Sequence, residues 1–272
     1  MERDRPEAEE ERLMLLDGRV AIVSGIGPGM GRDISLTLAR EGADVVLAAR
    51  RETKMREVAA EVAGLGRRAV CVPTDITDKE QCGRLVATAR DELGRVDVLV
   101  NNAFAEEDWA TFKGFDLERW RAPFDVNVFG TLQLSQAVVP VMKAQGAGSI
   151  VMINTLSTRV VNPVLGGYAS SKGALLVAAQ VMAKELGAYG IRVNSVAPGH
   201  IWGDSLKHYF EHLARQRGVT PQDVYDDIAG QTALHHIPTS EEISRAVLFF
   251  ASDLSRVITG QTLDVNAGRV FH

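Results

Sequence analysis

The sequence predicts a doubly wound α/β fold with a mostly parallel sheet, built as a single domain from a chain of 272 residues. Short runs rich in β-branched residues alternate with longer segments of helical periodicity, a pattern typical of βαβ units. The short runs lack the polar and apolar alternation of a half-exposed sheet, so we expect helices to cover both faces. A cluster of glycines directly after the first run indicates a tight strand-to-helix turn.

Seven strands are predicted, because each run is apolar and bounded by turn or helical residues. In chain order they cover Arg19–Ser24, Asp44–Ala49, Ala69–Pro73, Val96–Val100, Ser149–Asn154, Ile191–Val196 and Thr262–Val265. Helices are predicted between them, where the spacing of apolar residues changes to a helical period. They cover residues 30–41, 52–64, 78–92, 116–144, 168–188 and 240–251.

Two segments depart from this alternation. Residues 200–236 carry several Gly and Pro residues and no strand pattern, so we expect a small helical lobe that acts as a substrate lid. Residues 1–12 are highly charged and are expected to form a flexible tail, with the domain covering 13–272.

The composition argues against several classes of protein. The net charge of −5, with 24% charged residues, gives no electrostatic basis for binding nucleic acid or an anionic membrane. Two cysteines, Cys71 and Cys82, make no disulfide framework, which fits a reducing compartment, and we expect a cytoplasmic protein. The tail lacks the apolar core of a secretory signal. The longest uncharged stretch, Val126–Met142, is too short and too polar to span a bilayer.

The glycine cluster Ser24–Gly31 lies between the first strand and the first helix. Glycine suits this place because the chain turns sharply and its backbone N–H groups must approach a diphosphate. The N-terminus of the following helix supplies a partial positive charge to that anion. The sequence therefore predicts a dinucleotide site, and a tight turn without a ligand is the alternative. The expected contacts are Gly25, Pro28, Gly29, Met30 and Gly31.

The end of the second strand indicates which dinucleotide binds. A free ribose 2′-hydroxyl usually meets an acidic side chain here, whereas a 2′-phosphate favours a guanidinium. This strand ends in Ala49 and is followed by Arg50 and Arg51, with no acidic residue. NADP is therefore favoured over NAD, although Arg51 could simply begin the next helix in solvent.

Tyr168 and Lys172 are four residues apart in a predicted helix and so share one face. A nearby positive charge stabilises a phenolate, which lets a Tyr exchange a proton with a substrate hydroxyl near neutral pH. The alternative is the commoner arrangement of a half-buried Tyr beside an exposed Lys.

Taken together, these motifs resemble the classical short-chain dehydrogenase/reductase family over about Leu16 to Gly268. The family's Gly-rich turn is matched by Ser24–Gly31, and its catalytic pair by Tyr168 and Lys172. Further matches are Asp75 after the third strand, Asn101–Phe104 after the fourth, Asn127 within Asp125–Gly130, Pro198–Gly199, and Ile258–Gln261. So many ordered matches are far more specific than any single motif.

The resemblance implies a Rossmann-type fold and an NAD(P)-dependent oxidoreductase that transfers a hydride between the cofactor and a secondary alcohol or ketone. Tyr168 would exchange the hydroxyl proton, Lys172 would lower the pKa of Tyr168, and Asn127 would hold a water that links Lys172 to solvent. Further cofactor contacts are implied for Asp75, Ile76, Asn102, Ala103, Tyr168, Lys172, Pro198, Gly199 and Ile201.

Three positions depart from the family pattern. The active-site Ser, 13 residues before the Tyr, is Thr155 here, which keeps the hydroxyl; Ser157 could serve instead if the loop is shifted, and Thr155 could merely cap the strand end. Phe104 replaces the Gly of the Asn-rich motif, so its ring must turn away or enlarge the turn. Gly203 stands where the family often has a Thr that contacts the carboxamide. The backbone of Ile201 could still make that contact, and Asp204 or Ser205 could replace the hydroxyl.

Residues 208–212 of the lobe match H-x-x-E-H, the inverted zinc-peptidase motif, with His208 and His212 as its two histidines. No third ligand is evident, so a solvated helix is favoured and no metal is expected.

Aromatic residues on both sides of the expected cleft favour a bulky apolar substrate, such as a steroid-like or terpenoid ketone. They are Trp109, Phe112, Phe115, Trp202, Tyr209 and Phe210, with Phe104, Ser157 and Trp202 as candidate substrate contacts. The alternative is that these rings pack the lobe onto the body or bury a subunit contact.

The alternatives on function are a nucleotide-binding sensor or scaffold of the same fold, and the same enzyme using NAD. The resemblance also implies a homo-oligomer, a tetramer or dimer, built by pairing of the helices near 116–144 and 168–188.

Overall fold

The computed structural model describes residues 14–106, 109–114 and 116–271. One sheet of seven strands runs through this part of the chain in the order β3-β2-β1-β4-β5-β6-β7, and every neighbouring pair is parallel. The predicted tail at residues 1–12 and the predicted cleft residue Phe115 lie outside the described residues.

The strands are β1 Val20–Ser24, β2 Asp44–Ala49, β3 Ala69–Pro73, β4 Val98–Asn101, β5 Gly148–Ile153, β6 Ile191–Pro198 and β7 Thr262–Val265. The α-helices are α1 Met30–Arg40, α2 Glu52–Gly64, α3 Lys79–Leu93, α4 Arg121–Phe124, α5 Thr131–Gln145, α6 Gly166–Leu186, α7 Asp204–Arg217, α8 Pro221–Ala229 and α9 Ser240–Ala251. Every predicted strand is confirmed, with ends that differ by at most two residues.

The sheet is covered on both faces, which is why its strands are apolar throughout. Side chains of α1, α2 and α9 pack with alternate strand residues such as Ala21 and Val23 in one core. Side chains of α3, α5 and α6 pack with the other set, such as Val20 and Ile22, in a second core. This arrangement is the doubly wound, Rossmann-type fold that the sequence predicts.

The helix predicted near 116–144 is present as one continuous helical stretch over 117–145, but its turns are not all α-helical. A 3₁₀ turn at Leu117–Trp120 and the short α4 precede a π-helical segment at Asp125–Gly130, and only then does α5 begin. In the π-helical segment the N–H of Thr131 donates to the carbonyl of Val126, five residues back. The spacing of apolar residues cannot resolve such a change, because each of these segments is only four to six residues long and so shows no period of its own.

Residues 204–229 form two helices, α7 and α8, with a small core of their own. Buried side chains of Phe210, Ala214, Val224, Ala229 and Ile237 make up that core. The helical lobe is thus present, and its action as a lid stays a prediction. No helix within the described residues is long and apolar enough to cross a membrane.

Candidate active site

The predicted site residues collect at the carboxyl edge of the sheet, around the point where the strand order reverses. β1 lies between β2 and β4, so the segments that leave these strands run in opposite directions and open a crevice between them. Open parallel sheets bind their ligands at this place.

The glycine turn packs directly against the end of β4. Gly25 has φ +81°, and a Cβ there would stand 2.5 Å from the Cα of Ala103. A Cβ on Gly31 would stand 2.3 Å from the carbonyl oxygen of Gly25, so neither position tolerates a side chain. Asn102 Nδ2 donates to that same carbonyl oxygen at 2.8 Å, which ties the predicted contact Asn102 to the turn.

The outer side of the turn is open. A Cβ at Gly27 or Gly29 would meet nothing within 4 Å among the described residues. No side chain caps the N-terminus of α1, so its first amides are not satisfied by a capping group. Pro28 and Met30 lie in this same stretch. Open space beside uncapped helix amides fits the diphosphate of a dinucleotide.

Arg50 and Arg51 follow β2, and both side chains are exposed. Arg51 is also the N-cap residue of α2, which agrees with the alternative that Arg51 simply begins the next helix in solvent. Within the described part of the chain, neither guanidinium forms an ion pair, so both can meet a phosphate.

Asp75 and Ile76 follow β3 and flank the same crevice. Asp75 Oδ1 accepts from the N–H of Thr77 at 3.0 Å and from its hydroxyl at 2.7 Å. Ile76 is buried, and its Cγ1 would stand 2.9 Å from a Cβ on Gly130. The geometry therefore holds Asp75 in a tight turn and buries the side chain of Ile76 beside Gly130.

The ammonium of Lys172 is buried, which excludes the arrangement with an exposed Lys. Its side chain is 2% exposed, and Nζ donates to the carbonyl oxygen of Ile153 at 2.7 Å. Nζ lies 5.9 Å from the ring centroid of Tyr168, which is half-buried one turn earlier on α6. Burial disfavours the charged form and lowers the pKa of Lys172 from 10.5 to about 8.

Asn127 is fully buried in the π-helical segment and bridges two elements. Its Oδ1 accepts from the N–H of Ala105 at 2.8 Å, and its Nδ2 donates to the carbonyl oxygen of Ala105 and to Ser171 Oγ, each at 2.9 Å. Both amide hydrogens are therefore used within the protein, and the predicted water could meet only a lone pair of Asn127. The side chain fixes the loop after β4 against α6.

Ser171 is a site residue that sequence reasoning missed. Its hydroxyl donates to the carbonyl oxygen of Tyr168 at 2.7 Å while it accepts from Asn127. A Ser three residues after a helical Tyr commonly bonds back to that carbonyl, so the only available signal was a local one.

Thr155 and Ser157 lie side by side after β5. Thr155 Oγ1 donates to Ser157 Oγ at 3.3 Å and accepts from the N–H of Ser157 at 3.2 Å, which also makes it the cap of a 3₁₀ turn at Leu156–Thr158. Thr155 therefore caps the end of the strand, as the alternative interpretation expects, with the same hydroxyl that is predicted to act in catalysis.

The end of β6 brings the remaining predicted contacts to the crevice. Pro198 is its last residue, and a Cβ on Gly199 would stand 3.0 Å from the Cβ of Asn266, so the turn is tight. Ile201 is half-buried against the core beneath α1 and α9. Gly203 precedes α7 and supplies no hydroxyl.

The aromatic residues divide between the crevice and the lobe. Phe104 is 57% exposed, and its ring meets Tyr168 edge-on at 6.3 Å between centroids. Of the two possibilities that the sequence leaves, a ring that turns away and a larger turn, the structure shows the first. The rings of Trp109 and Tyr209 lie 5.7 Å apart, so this pair packs α7 of the lobe onto the loop after β4, as expected if the aromatic residues join the lobe to the body.

The other rings pack among themselves. Trp202 lies 4.7 Å from the ring of Tyr225 and 5.7 Å from that of Phe210, so it packs inside the lobe. Phe112 packs on Trp120 at 6.2 Å. His208 and His212 are exposed on α7, and the described residues contain no cluster of three side chains that could hold a metal ion.

Comparison with known proteins gives a consistent result. A family model described as enoyl-(acyl carrier protein) reductase matches residues 25–269. The chain is 34% identical over 257 residues to 7α-hydroxysteroid dehydrogenase of Escherichia coli (strain K12). The alignment covers 94% of this chain and 95% of that enzyme.

Solved structures agree with the sequence matches. Carveol dehydrogenase from Mycobacterium avium in complex with NAD superposes with a TM-score of 0.87 and 30% identity, over 94% of this chain and 99% of that one. A structure of 7α-hydroxysteroid dehydrogenase complexed with NADH and 7-oxo glycochenodeoxycholic acid superposes with a TM-score of 0.85 and 33% identity. The superposition covers 96% of this chain and 97% of that one. The chain therefore belongs to the classical short-chain dehydrogenase/reductase family of NAD(P)-dependent oxidoreductases.

Proposed function

We propose that this enzyme transfers a hydride between NADP(H) and a secondary alcohol or ketone with a bulky apolar skeleton. The observation that carries the proposal is the buried Lys172 ammonium, 5.9 Å from the ring centroid of Tyr168 and bonded to the last residue of β5, on the same edge of the sheet as the glycine turn. A buried cation beside a phenol at a dinucleotide crevice serves acid–base chemistry better than it serves stability.

Tyr168 exchanges the hydroxyl proton of the substrate. In the oxidation direction its oxygen accepts that proton, and in reduction it returns it. Lys172 remains mostly protonated at neutral pH, because its pKa is about 8, and its charge favours the phenolate of Tyr168. When bound, the nicotinamide supplies the carbon that accepts or gives the hydride.

Thr155 orients the substrate oxygen and stabilises the charge that grows on it, as a donor already held in place. Ser157 is hydrogen-bonded to Thr155, so it keeps the Thr155 hydroxyl in a defined rotamer or takes the same role itself. Asn127 fixes the loop at Ala105 and, through Ser171, the first turn of α6.

The preference for NADP is supported by the exposed Arg50, whose guanidinium has no ion pair within the described residues. A planar fork of donors binds the 2′-phosphate well. Arg51, Asp75, Ile76, Asn102, Ala103, Pro198, Gly199 and Ile201 complete the proposed cofactor contacts. NAD is the second candidate, because the solved relatives named above hold NAD and NADH.

The apolar substrate is supported by the exposed ring of Phe104 beside Tyr168 and by the aromatic surface of Trp109 and Tyr209, where the lobe meets the loop after β4. Two relatives, a hydroxysteroid dehydrogenase and a carveol dehydrogenase, are named for alcohols with alicyclic skeletons. A flat alicyclic ketone would fit between the Phe104 ring and the lobe, with the lobe acting as its lid.

A homo-oligomer, a tetramer or dimer, is supported by exposed apolar side chains on α6, Val177 at 57% and Val181 at 60%. Location in the cytoplasm is proposed from the two free cysteines, Cys71 and Cys82.

The test is turnover, read as absorbance of the reduced nicotinamide, with steroid and monoterpene ketones and each cofactor. Tyr168→Phe should abolish turnover and leave cofactor binding intact, because it removes only the proton-exchanging oxygen. Tyr189→Phe is the matched control, since Tyr189 lies before β6 and packs on Lys143. Retention of most activity in Tyr168→Phe would refute the acid–base assignment, and tighter binding of NAD than NADP would refute the cofactor preference.

A further inference from the structure

A half-buried ion pair joins the loop that carries the two hydroxyls to the edge of the sheet. Nε of Arg159 donates to both carboxylate oxygens of Asp264, each at 3.3 Å. The two side chains are 21% and 15% exposed. Asp264 lies on β7 opposite Ala197 of β6, so the pair connects residues 105 positions apart next to the Pro198 turn.

Thr155–Thr158, here named the hydroxyl turn, is held firmly at its first end. The N–H of Asn154 donates to the carbonyl oxygen of Val196 at 2.7 Å, and the N–H of Thr155 donates to Asn154 Oδ1 at 3.0 Å. Leu156 is buried within the turn. These contacts fix the backbone where the chain leaves β5.

The other end of the hydroxyl turn depends on Arg159. The N–H of Arg159 donates to the carbonyl oxygen of Leu156 at 2.8 Å, which closes the turn on itself and gives no tie to another element. Residues 160–163, which follow, are all exposed. The N–H of Val160 also donates to Leu156, within the same turn, so the Arg159 side chain is the group that ties this end of the turn to another element.

We propose that Arg159 is a positioning residue whose ion pair with Asp264 holds the Thr155 and Ser157 hydroxyls in place for the reaction. A half-buried, charge-assisted pair is less screened by salt than a surface pair, so it can resist movement of the turn. Misplacement of a reacting group by about 1 Å can reduce the rate on the order of 100-fold. The inference rests on the proposed function, because it concerns the hydroxyl that orients the substrate oxygen.

The experiment compares Arg159→Met, Arg159→Lys and Asp264→Asn with Arg67→Met in the full-length protein. Arg67 is the matched control, since it pairs with Asp44 at 3.0 Å with side chains 23% and 19% exposed, at the amino end of β2. We expect Arg159→Met and Asp264→Asn to lower kcat about 10-fold or more, with the cofactor dissociation constant changed less than about twofold. Arg159→Lys should recover part of kcat, and Arg67→Met should keep kcat within about twofold even where its melting temperature falls equally.

A double variant separates this inference from the proposed function. In the background Thr155→Ala with Ser157→Ala, Arg159→Met should cause no further loss of kcat, because no hydroxyl remains to be placed. Wild-type kcat in that background alone would refute the hydroxyl assignment, and the inference with it. If the variant Thr155→Ala with Ser157→Ala is slow but Arg159→Met has a normal kcat, the role of Arg159 is refuted and the proposed function is not. An equal loss of kcat in Arg67→Met would likewise refute the role of Arg159. If Arg159→Met does not fold, Asp264→Asn and Arg159→Lys decide by the same criteria.

Discussion

Lys172 places a titrating charge inside the protein, and that charge makes stability depend on pH. Its side chain is 2% exposed, and burial lowers its pKa from 10.5 to about 8. Because the folded pKa lies below the unfolded one, the unfolded chain binds more protons between these values, and stability rises with pH in that window. A difference of about 2.5 pKa units, at about 1.4 kcal/mol each, corresponds to about 3 kcal/mol.

The assay is denaturant unfolding of the cofactor-free protein from pH 7 to 10.5, in wild type and in Lys172→Met. The free energy of unfolding of wild type should rise relative to that of Lys172→Met by about 3 kcal/mol across this range, with nearly all the change above pH 8. Other titrating groups are common to both proteins, so the difference isolates Lys172. Lys184→Met, an exposed lysine on the same helix, should keep the pH dependence of wild type.

Parallel stability curves for wild type and Lys172→Met would refute the reasoning. They would mean that the ammonium keeps its ordinary pKa in the folded protein and is not desolvated. The proposed influence of Lys172 on Tyr168 would then lose its electrostatic basis, because a well-solvated charge is strongly screened.

Three further predictions concern the turn, the bridge and the cofactor. Gly25→Ala should lower the melting temperature, because its Cβ would stand 2.5 Å from backbone, whereas Gly27→Ala, with nothing within 4 Å, should fold like wild type; equal melting temperatures would contradict this. Asn127→Ala removes three hydrogen bonds of a buried side chain and should lower the free energy of unfolding by about 2 kcal/mol or more, measured by denaturant unfolding. Arg50→Asp should weaken NADP binding and spare or improve NAD binding, measured as the two dissociation constants; an unchanged preference would remove Arg50 from the cofactor argument.

Local pattern was sufficient for most of the fold. β2, β3 and β7 have the bounds predicted for them, because each is an apolar run of four to six residues ended by turn or polar residues. The glycine turn was predictable as well, since the tight geometry at Gly25 needs a residue without a Cβ. The π-helical segment was not, because a single extra residue in a turn leaves hydrophobic spacing almost unchanged.

The sequence proposes which residues form the candidate site, but it does not predict their contacts. The spacing of Tyr168 and Lys172 predicts that they share a helix face, yet it cannot distinguish a buried ammonium from an exposed one. The outward turn of Phe104 onto Tyr168 likewise depends on how the loop after β4 leaves the sheet.

By itself, the sequence determined the order of strands and helices, the position of the glycine turn and the helical spacing that puts Tyr168 and Lys172 on one face, because these follow from residues close together in the chain. Only the tertiary structure decided which distant groups meet: Asn127 with Ser171, 44 residues apart, and Arg159 with Asp264, 105 residues apart. Such contacts depend on how helices and loops pack against the sheet, and the same side-chain chemistry is compatible with many partners until that packing selects one.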